Sequence, residues 1–217
     1  LFKKNDLPYN QNLDLDNFIE LNGVNLETIN FSVLMDNDIS IDVDLKTLKK
    51  KNEVLLLPVS NDASSIKIIS QVKVFPKENT SLEGLYESNQ MFCTQCEPEG
   101  FRKITWFTDR PDCLAIFKVR IEASKRYSTM LSNGNLIEEG IVTEKGINSE
   151  RHFKIWSDPF PKPSYLFALV VGNLELSESS FTTSSNKNIK LQIFTEIGNK
   201  YLTLHAMKSL KKAMAWD

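Results

Sequence analysis

The chain has 217 residues with 26 Lys plus Arg, 28 Asp plus Glu and 41% apolar side chains, enough for one large domain, or one domain with an appendage, around a core that needs no staple. The formal charge of −2 argues against a nucleic-acid partner, and no apolar run approaches the roughly 18 residues that would span a membrane. Three cysteines form no closed disulfide framework, two histidines limit what metal chemistry the chain holds by itself, and the opening Leu1-Phe2-Lys3-Lys4 carries no signal-peptide core, so a reducing, cytoplasmic setting is expected.

Lys46, Lys49, Lys50 and Lys51 read as a solvated turn or edge. Alternation of period two then dominates, the mark of half-buried strands. Ile66, Ile68, Val72 and Val74 share one face of a strand that Pro76 ends, because proline donates no ladder hydrogen bond. Phe117, Val119 and Ile121 face one way, and Lys118, Arg120 and Glu122 the other. Ser132-Asn133-Gly134-Asn135 signals a hairpin, since Asn-Gly readily supplies positive φ. Residues 151–156 alternate again, and Pro159, Pro161 and Pro163 predict a stiff extended connection after them. The continuous apolar run 166–171 fits a strand covered on both faces, and 188–195 alternate with Ile189, Leu191 and Ile193 inward. Many short strands between such turns predict a mainly β chain, an antiparallel β-sandwich or saddle-shaped sheet. The period then changes: Tyr201, Leu202, Ala206, Leu210, Ala213 and Met214 recur at helical spacing with Lys208, Lys211 and Lys212 opposite, which predicts a C-terminal amphipathic helix capped by Asn199.

The usual self-sufficient active-site motifs are absent. There is no H-E-x-x-H, G-x-S-x-G, G-x-x-x-x-G-K or G-x-G-x-x-G, and neither His152 nor His205 has a glutamate beside it. Cys93-Thr94-Gln95-Cys96 is formally a C-x-x-C. A redox role would expect the motif to open a helix, and a zinc knuckle would need paired ligands that Cys113, His152 and His205 do not supply; buried free thiols are the plainer reading. Asp109-Arg110-Pro111-Asp112 reads as an Arg110–carboxylate fork pinning a turn, and Glu138-Glu139 as solvated surface.

Several ordered motifs nevertheless stand together. Gly84-Leu85-Tyr86 leads to Cys93-Thr94-Gln95-Cys96-Glu97-Pro98-Glu99-Gly100-Phe101-Arg102, then to Asp109-Arg110-Pro111-Asp112, Leu131-Ser132-Asn133-Gly134-Asn135 and Trp156-Ser157-Asp158-Pro159-Phe160-Pro161-Lys162-Pro163. They continue through residues 165–172 to Ser209-Leu210-Lys211-Lys212-Ala213-Met214-Ala215-Trp216-Asp217. Over residues 77–217 this resembles the N-terminal domain of the zinc aminopeptidases of the aminopeptidase N (alanyl aminopeptidase) family. The resemblance implies an all-β N-terminal domain over 1–196, with 197–217 beginning a thermolysin-like catalytic domain that is absent here.

It further implies that Gln95 and Glu97 line the first substrate pocket, with Cys96 and Pro98 as structural support, and that Glu97 binds the free α-ammonium of a peptide. A carboxylate facing an ammonium makes a short, charge-assisted bond that a blocked terminus does not replace. On residue chemistry alone, Glu97 is equally the end of a strand whose carboxylate accepts backbone N–H groups. Relatives often carry a cis peptide after this glutamate. The cis form costs about 2.5–4 kcal/mol before an ordinary residue and about 0.5–1 kcal/mol before proline, so Glu97-Pro98 is expected to be cis. The parent would hold catalytic zinc through H-E-x-x-H and a downstream glutamate; neither those residues nor a G-A-M-E-N segment is in this chain, so the fragment is expected to bind no catalytic zinc and to hydrolyse nothing. Its partners would be the peptide N-terminus and the missing catalytic domain. Two other classes remain: a non-catalytic interaction scaffold of the same architecture, which an H-E-x-x-H in the remainder of the gene would argue against, and a stand-alone carbohydrate- or peptide-binding sandwich, which predicts ligand affinity for the isolated domain and gives no reason for the terminal helix.

Overall fold

The computed structural model describes residues 17–35, 39–42, 50–51, 53–59, 63–144 and 147–216. The opening tetrapeptide, Lys46 and Lys49 lie outside the described residues. Every strand pairing is antiparallel, as the alternation predicts.

Two three-stranded sheets come first: β1 (Asn17–Asn22), β5 (Val54–Val59) and β4 (Lys50–Lys51) form one, and β3 (Ile39–Asp42), β2 (Glu27–Met35) and β6 (Ile66–Lys73) the other. Their inward residues Leu21, Phe31, Val33, Leu55 and Leu57 make one buried cluster with Trp106, which reaches in from the segment after Lys103, and Ile66, Ile68 and Val72 lie against it. The side of β6 read from its alternation is therefore the inner one. The strand stops at Lys73, ahead of Pro76.

The middle of the chain builds a second sandwich. β7 (Gly84–Ser88), β8 (Met91–Gln95), β10 (Thr129–Ser132) and β13 (Leu169–Gly172) form a sheet in the order β10-β13-β8-β7. β9 (Leu114–Ser124), β11 (Asn135–Glu144) and β12 (Ile147–Pro163) form the other, with β12 central. Ile121, Met130 and Val171 are buried between them, with Phe92, Val119 and Trp156 alongside. Phe117, Val119 and Ile121 do point inward from β9.

Three expectations change here. The turn at Asn133-Gly134 is present, Gly134 having φ +82, but it joins no hairpin: β10 pairs with β13 while β11 pairs with β12. The Asn133 side chain accepts from the Ala168 N–H at 2.7 Å and donates to the Leu166 carbonyl at 3.0 Å, which turns the chain from one sheet into the other. The apolar run 166–171 is not a single strand, since Ser164–Leu166 is a 3-10 turn and β13 begins at Leu169. The proline-rich stretch is not a bare connection either, because β12 runs through it. Its register against β9 shifts between Asp158 and Lys162, and that bulge takes Pro159 and Pro161 without interrupting a regular ladder.

β14 (Leu174–Thr182) and β15 (Asn188–Glu196) form a separate two-stranded sheet, and α1 (Thr203–Trp216) lies against it. Leu191 is buried on the inner side of β15, flanked by half-buried Ile189 and Ile193. The helix is present, but its packed face differs from the expected stripe. Thr203 is buried and Met207 and Met214 half-buried, while Tyr201, Leu202, Leu204, Leu210 and Trp216 stay exposed, Trp216 at 89%. Asn199 does not cap with its side chain. A 3-10 turn, Lys200–Leu202, precedes α1, and the Thr203 hydroxyl donates to the Lys200 carbonyl at 2.7 Å and meets Ser177 Oγ at 2.8 Å.

The two sandwiches meet where Asn22 and Phe107 exchange backbone bonds, the Val24 N–H donates to the Arg102 carbonyl at 2.9 Å and Trp106 enters the first core, and a buried carboxylate lies beside this junction. Asp109 is 3% exposed. Its Oδ2 accepts from Arg102 Nε and from the Arg102 backbone N–H, each at 3.0 Å. Ser164 Oγ donates to Oδ1, and the Asp109 N–H donates to Asn22 Oδ1 at 3.0 Å. Removing the charge from Asp109 takes away the buried partner of a largely buried guanidinium and leaves it only exposed Glu99 at 3.3 Å, and breaking a buried pair in this way typically costs about 3–5 kcal/mol. Asp109→Asn is therefore expected to lower the urea midpoint of this chain by that equivalent, and an unchanged midpoint would contradict the assignment.

Candidate functional site

β7 and β8 are a tight hairpin in register from Gly84↔Gln95 to Ser88↔Met91, turning through Asn89 and Gln90 with φ of 48 and 62. β8 is pinned on its other side to β13, where the Leu169 N–H donates to the Thr94 hydroxyl at 2.8 Å. The strand ends at Gln95, and the chain leaves the sheet in a turn closed by the Gly100 N–H on the Cys96 carbonyl at 2.7 Å. Phe101–Lys103 follows as a 3-10 turn.

The base of this turn is seated in aromatic packing. Cys96 and Phe101 are buried, and Phe101 meets Phe107 and Phe167 edge-on with centroids 5.0 Å away in each pair. Gly100 is required by proximity, for a Cβ there would lie 2.3 Å from the Gln95 carbonyl oxygen and 2.9 Å from the Gly84 nitrogen. The Glu97–Pro98 peptide is cis, as expected from the sequence.

All four residues singled out from the sequence thus fall on one turn. Cys96 points into the core, whereas Gln95, Glu97 and Pro98 are exposed. Gln95 Nε2 donates to the backbone carbonyl of Glu97 at 3.2 Å. The carboxylates nearby meet different fates. Asp109 is held by Arg102, and Glu99 lies 3.3 Å from Arg102 Nη1. The Glu97 carboxylate, among the described residues, is paired with no lysine or arginine.

Arg102 and Asp109 are the residues that reasoning from sequence missed. It assigned the motif's fork to Arg110, and Arg110 does grip Asp112 through Nε at 3.0 Å and Nη2 at 2.6 Å, on the surface. That bond holds the Asp112 carboxyl below the usual carboxylate range. The buried partnership runs seven residues back instead. Its available signal was an arginine directly after Gly-Phe, in a stretch whose neighbours Phe101, Ile104, Trp106 and Phe107 are apolar.

Cys93, Cys96 and Cys113 are all free thiols. Burial, and secondarily the Asp109 charge, push the Cys96 thiol up to about 12. His152 and His205 sit far apart in the chain on β12 and α1. Among the described residues no three His, Cys, Asp or Glu side chains gather where they could hold a metal ion, so the donor set a catalytic zinc requires is not met by these residues. Among the described residues no helix is long and apolar enough to cross a membrane.

Residues 11–166 match the Peptidase M1 N-terminal domain. The chain belongs to this family. The match begins well before residue 77, so the likeness extends into the opening strands, beyond the motifs that first suggested it. Among relatives of this M1 N-terminal domain, the chain is 49% identical over 159 residues to aminopeptidase N of Haemophilus influenzae, covering 73% of this chain and 18% of that protein. It is 46% identical over 170 residues to aminopeptidase N of Escherichia coli, covering 77% and 19%. With aminopeptidase N of Caulobacter vibrioides it shares 39% over 201 residues, covering 91% and 21%. The fold superimposes on Legionella pneumophila aminopeptidase A, solved in complex with aspartic acid, with a TM-score of 0.80 and 32% identity over 96% of this chain and 23% of that one. The chain therefore spans about a fifth of the length of the relatives it matches.

The raised thiol of Cys96 has a pH signature. A folded thiol that ionises only near pH 12 keeps its proton while the unfolded thiol loses it above ~8.5. The contribution to stability is complete below the unfolded value and is lost as pH rises toward the folded one. Iodoacetamide at pH 8 is expected to label half-buried Cys93 and Cys113 in the native chain and Cys96 only after unfolding; native labelling of Cys96 would contradict this.

Proposed function

We propose that this chain is the amine-recognising N-terminal portion of a zinc-dependent aminopeptidase, a hydrolase that removes residues one at a time from peptide N-termini. The observation that carries the reading is the Glu97 carboxylate: exposed at the end of a braced turn, and left without a cation while Arg102 occupies both neighbouring carboxylates. An unpaired carboxylate held in place suits an incoming α-ammonium. It also explains counting from the chain end, because an acylated nitrogen offers neither the charge nor the donors. Gln95 stands beside it as a second wall of the first pocket. The close relatives, named aminopeptidase N, support this assignment for the parent.

Zinc supplies a Lewis acid and an activated water in such enzymes; here it would be held by the catalytic domain, and the chain's own residues bind and orient. Residues 197–217 are assigned to the beginning of that domain. Exposed apolar side chains of this segment, Leu204, Leu210 and Trp216 among them, are left for the missing domain to cover. Three free thiols support a cytoplasmic setting.

In the full-length enzyme, Glu97→Gln is expected to lower kcat/KM for aminoacyl-anilides by about 10- to 100-fold, the worth of a hydrogen bond to a charged group. Unaltered kcat/KM would overturn the reading. The chain alone, stripped with a chelator and resupplied with zinc, is expected to release no anilide; measurable turnover would refute the division of labour.

A further inference from the structure

The proline-rich end of β12 is a sequence motif that the amine site leaves without a role. Against β9, Asp158 pairs with Phe117 and Lys162 with Ala115, so Pro159, Phe160 and Pro161 bulge out opposite Ile116. The bulge is braced. Asp158 is buried at its base and ion-paired with half-buried Lys162 across it, and the prolines flanking Phe160 fix φ at their own positions. Phe160 itself stands 72% exposed. Burial would stabilise a ring of that size, yet the loop is held in a form that keeps it in water.

β9 extends the surface. With Phe117, Val119 and Ile121 inward, Leu114 and Ile116 face away from the core, 58% and 63% exposed. Among the described residues β9 is an edge strand, paired with β12 alone. Sheet edges are ordinarily blunted by charge, and Lys118, Arg120 and Glu122 do this along the rest of that face, which confines the apolar stretch to the positions beside the bulge. Arg120 and Glu122 pair with each other, whereas Lys118 is exposed with no ion pair among the described residues. Phe117, on the reverse of the strand, meets Phe101 beneath the Glu97 turn with centroids 5.8 Å apart, so the surface sits at the same end of the second sandwich as that turn.

We infer that Leu114, Ile116 and Phe160 form a docking surface, separate from α1, for the remainder of the parent polypeptide, with Phe160 as the anchor that enters an apolar pocket and Lys118 meeting a carboxylate at the rim. The inference rests on reading this chain as the N-terminal portion of a longer enzyme and goes beyond it. Length names the occupant. The relatives extend beyond the matched part by about four times its length, and domains seldom exceed about 250 residues, so the remainder comprises more than one catalytic domain. An aromatic side chain preset by flanking prolines loses little freedom on being buried, which suits it to anchor an interface.

The test is thiol protection. Ile116→Cys and Phe160→Cys are introduced separately into this chain and into the full-length parent, and each is treated with a maleimide under native conditions. Peptide mass spectrometry counts the new thiol apart from Cys93 and Cys113, and Cys96, buried in the folded chain, reports that each sample is folded. Both new thiols are expected to label readily in this chain and about 100-fold more slowly in the full-length protein, where reagent reaches them only on local opening. Equal rates in the two would overturn the inference, and so would protection that disappears on dilution, which would make the cover a second copy. Phe160→Ser gives an independent reading. Because the ring is exposed here, this substitution is expected to leave the urea midpoint of this chain unchanged and to lower that of the full-length protein; an unchanged midpoint in both would overturn the inference. Protection in a full-length protein that releases no anilide would keep this surface and overturn the aminopeptidase reading, so the two failures are told apart.

Discussion

The architecture turns on one buried carboxylate. Asp109 accepts from Arg102, Ser164 donates to it, and its own backbone N–H reaches Asn22 at the end of β1. Those partners come from the first sandwich, from the turn after Gln95 and from the 3-10 turn before β13. A charge taken out of water is tolerable only when every lone pair is met, and such a site is correspondingly intolerant of alternatives. Together with the backbone bonds between Asn22 and Phe107 and the burial of Trp106 in the first core, this interaction fixes the junction of the two sandwiches and the base of the turn carrying Glu97.

The same cation sorts the acidic groups around the site. Arg102 has one long contact surface, and both of its carboxylate partners, Asp109 and Glu99, lie on it. Three carboxylates within a short stretch would otherwise repel one another and compete for whatever cation arrived. With two of them neutralised internally, the remaining one carries its charge to the surface. Under the proposed reading, selectivity for a single ammonium would follow from how the chain distributes its charges.

Much of the fold was legible in the chain. The alternations at Ile66–Val72, at Phe117–Ile121 and at Ile189–Ile193 were read with the right residues inward, because the two faces of a strand differ in solvent and sequence must follow. Asn133-Gly134 was read correctly as a turn and wrongly as a hairpin. Local backbone preference specifies the reversal, whereas the partner of each flanking strand depends on Asn133 binding residues more than thirty positions away. The helix was found and its inward face misjudged. An apolar stripe says which side avoids water, and the covered face is rotated from it: Met214 is shared, Thr203 and Met207 are covered beside it, and Ala206 and Ala213 of the stripe stay exposed.

The sequence alone determined strand character, the placing of turns and the rare motifs that tie this chain to the M1 peptidases, since each is written in neighbouring positions. Only the tertiary structure decided which sheets the strands join, which face of α1 is covered, and that Arg102 rather than Arg110 carries the buried charge. These outcomes depend on which distant groups come within a few ångströms of one another, and a linear pattern of apolar and charged residues holds no measure of that distance.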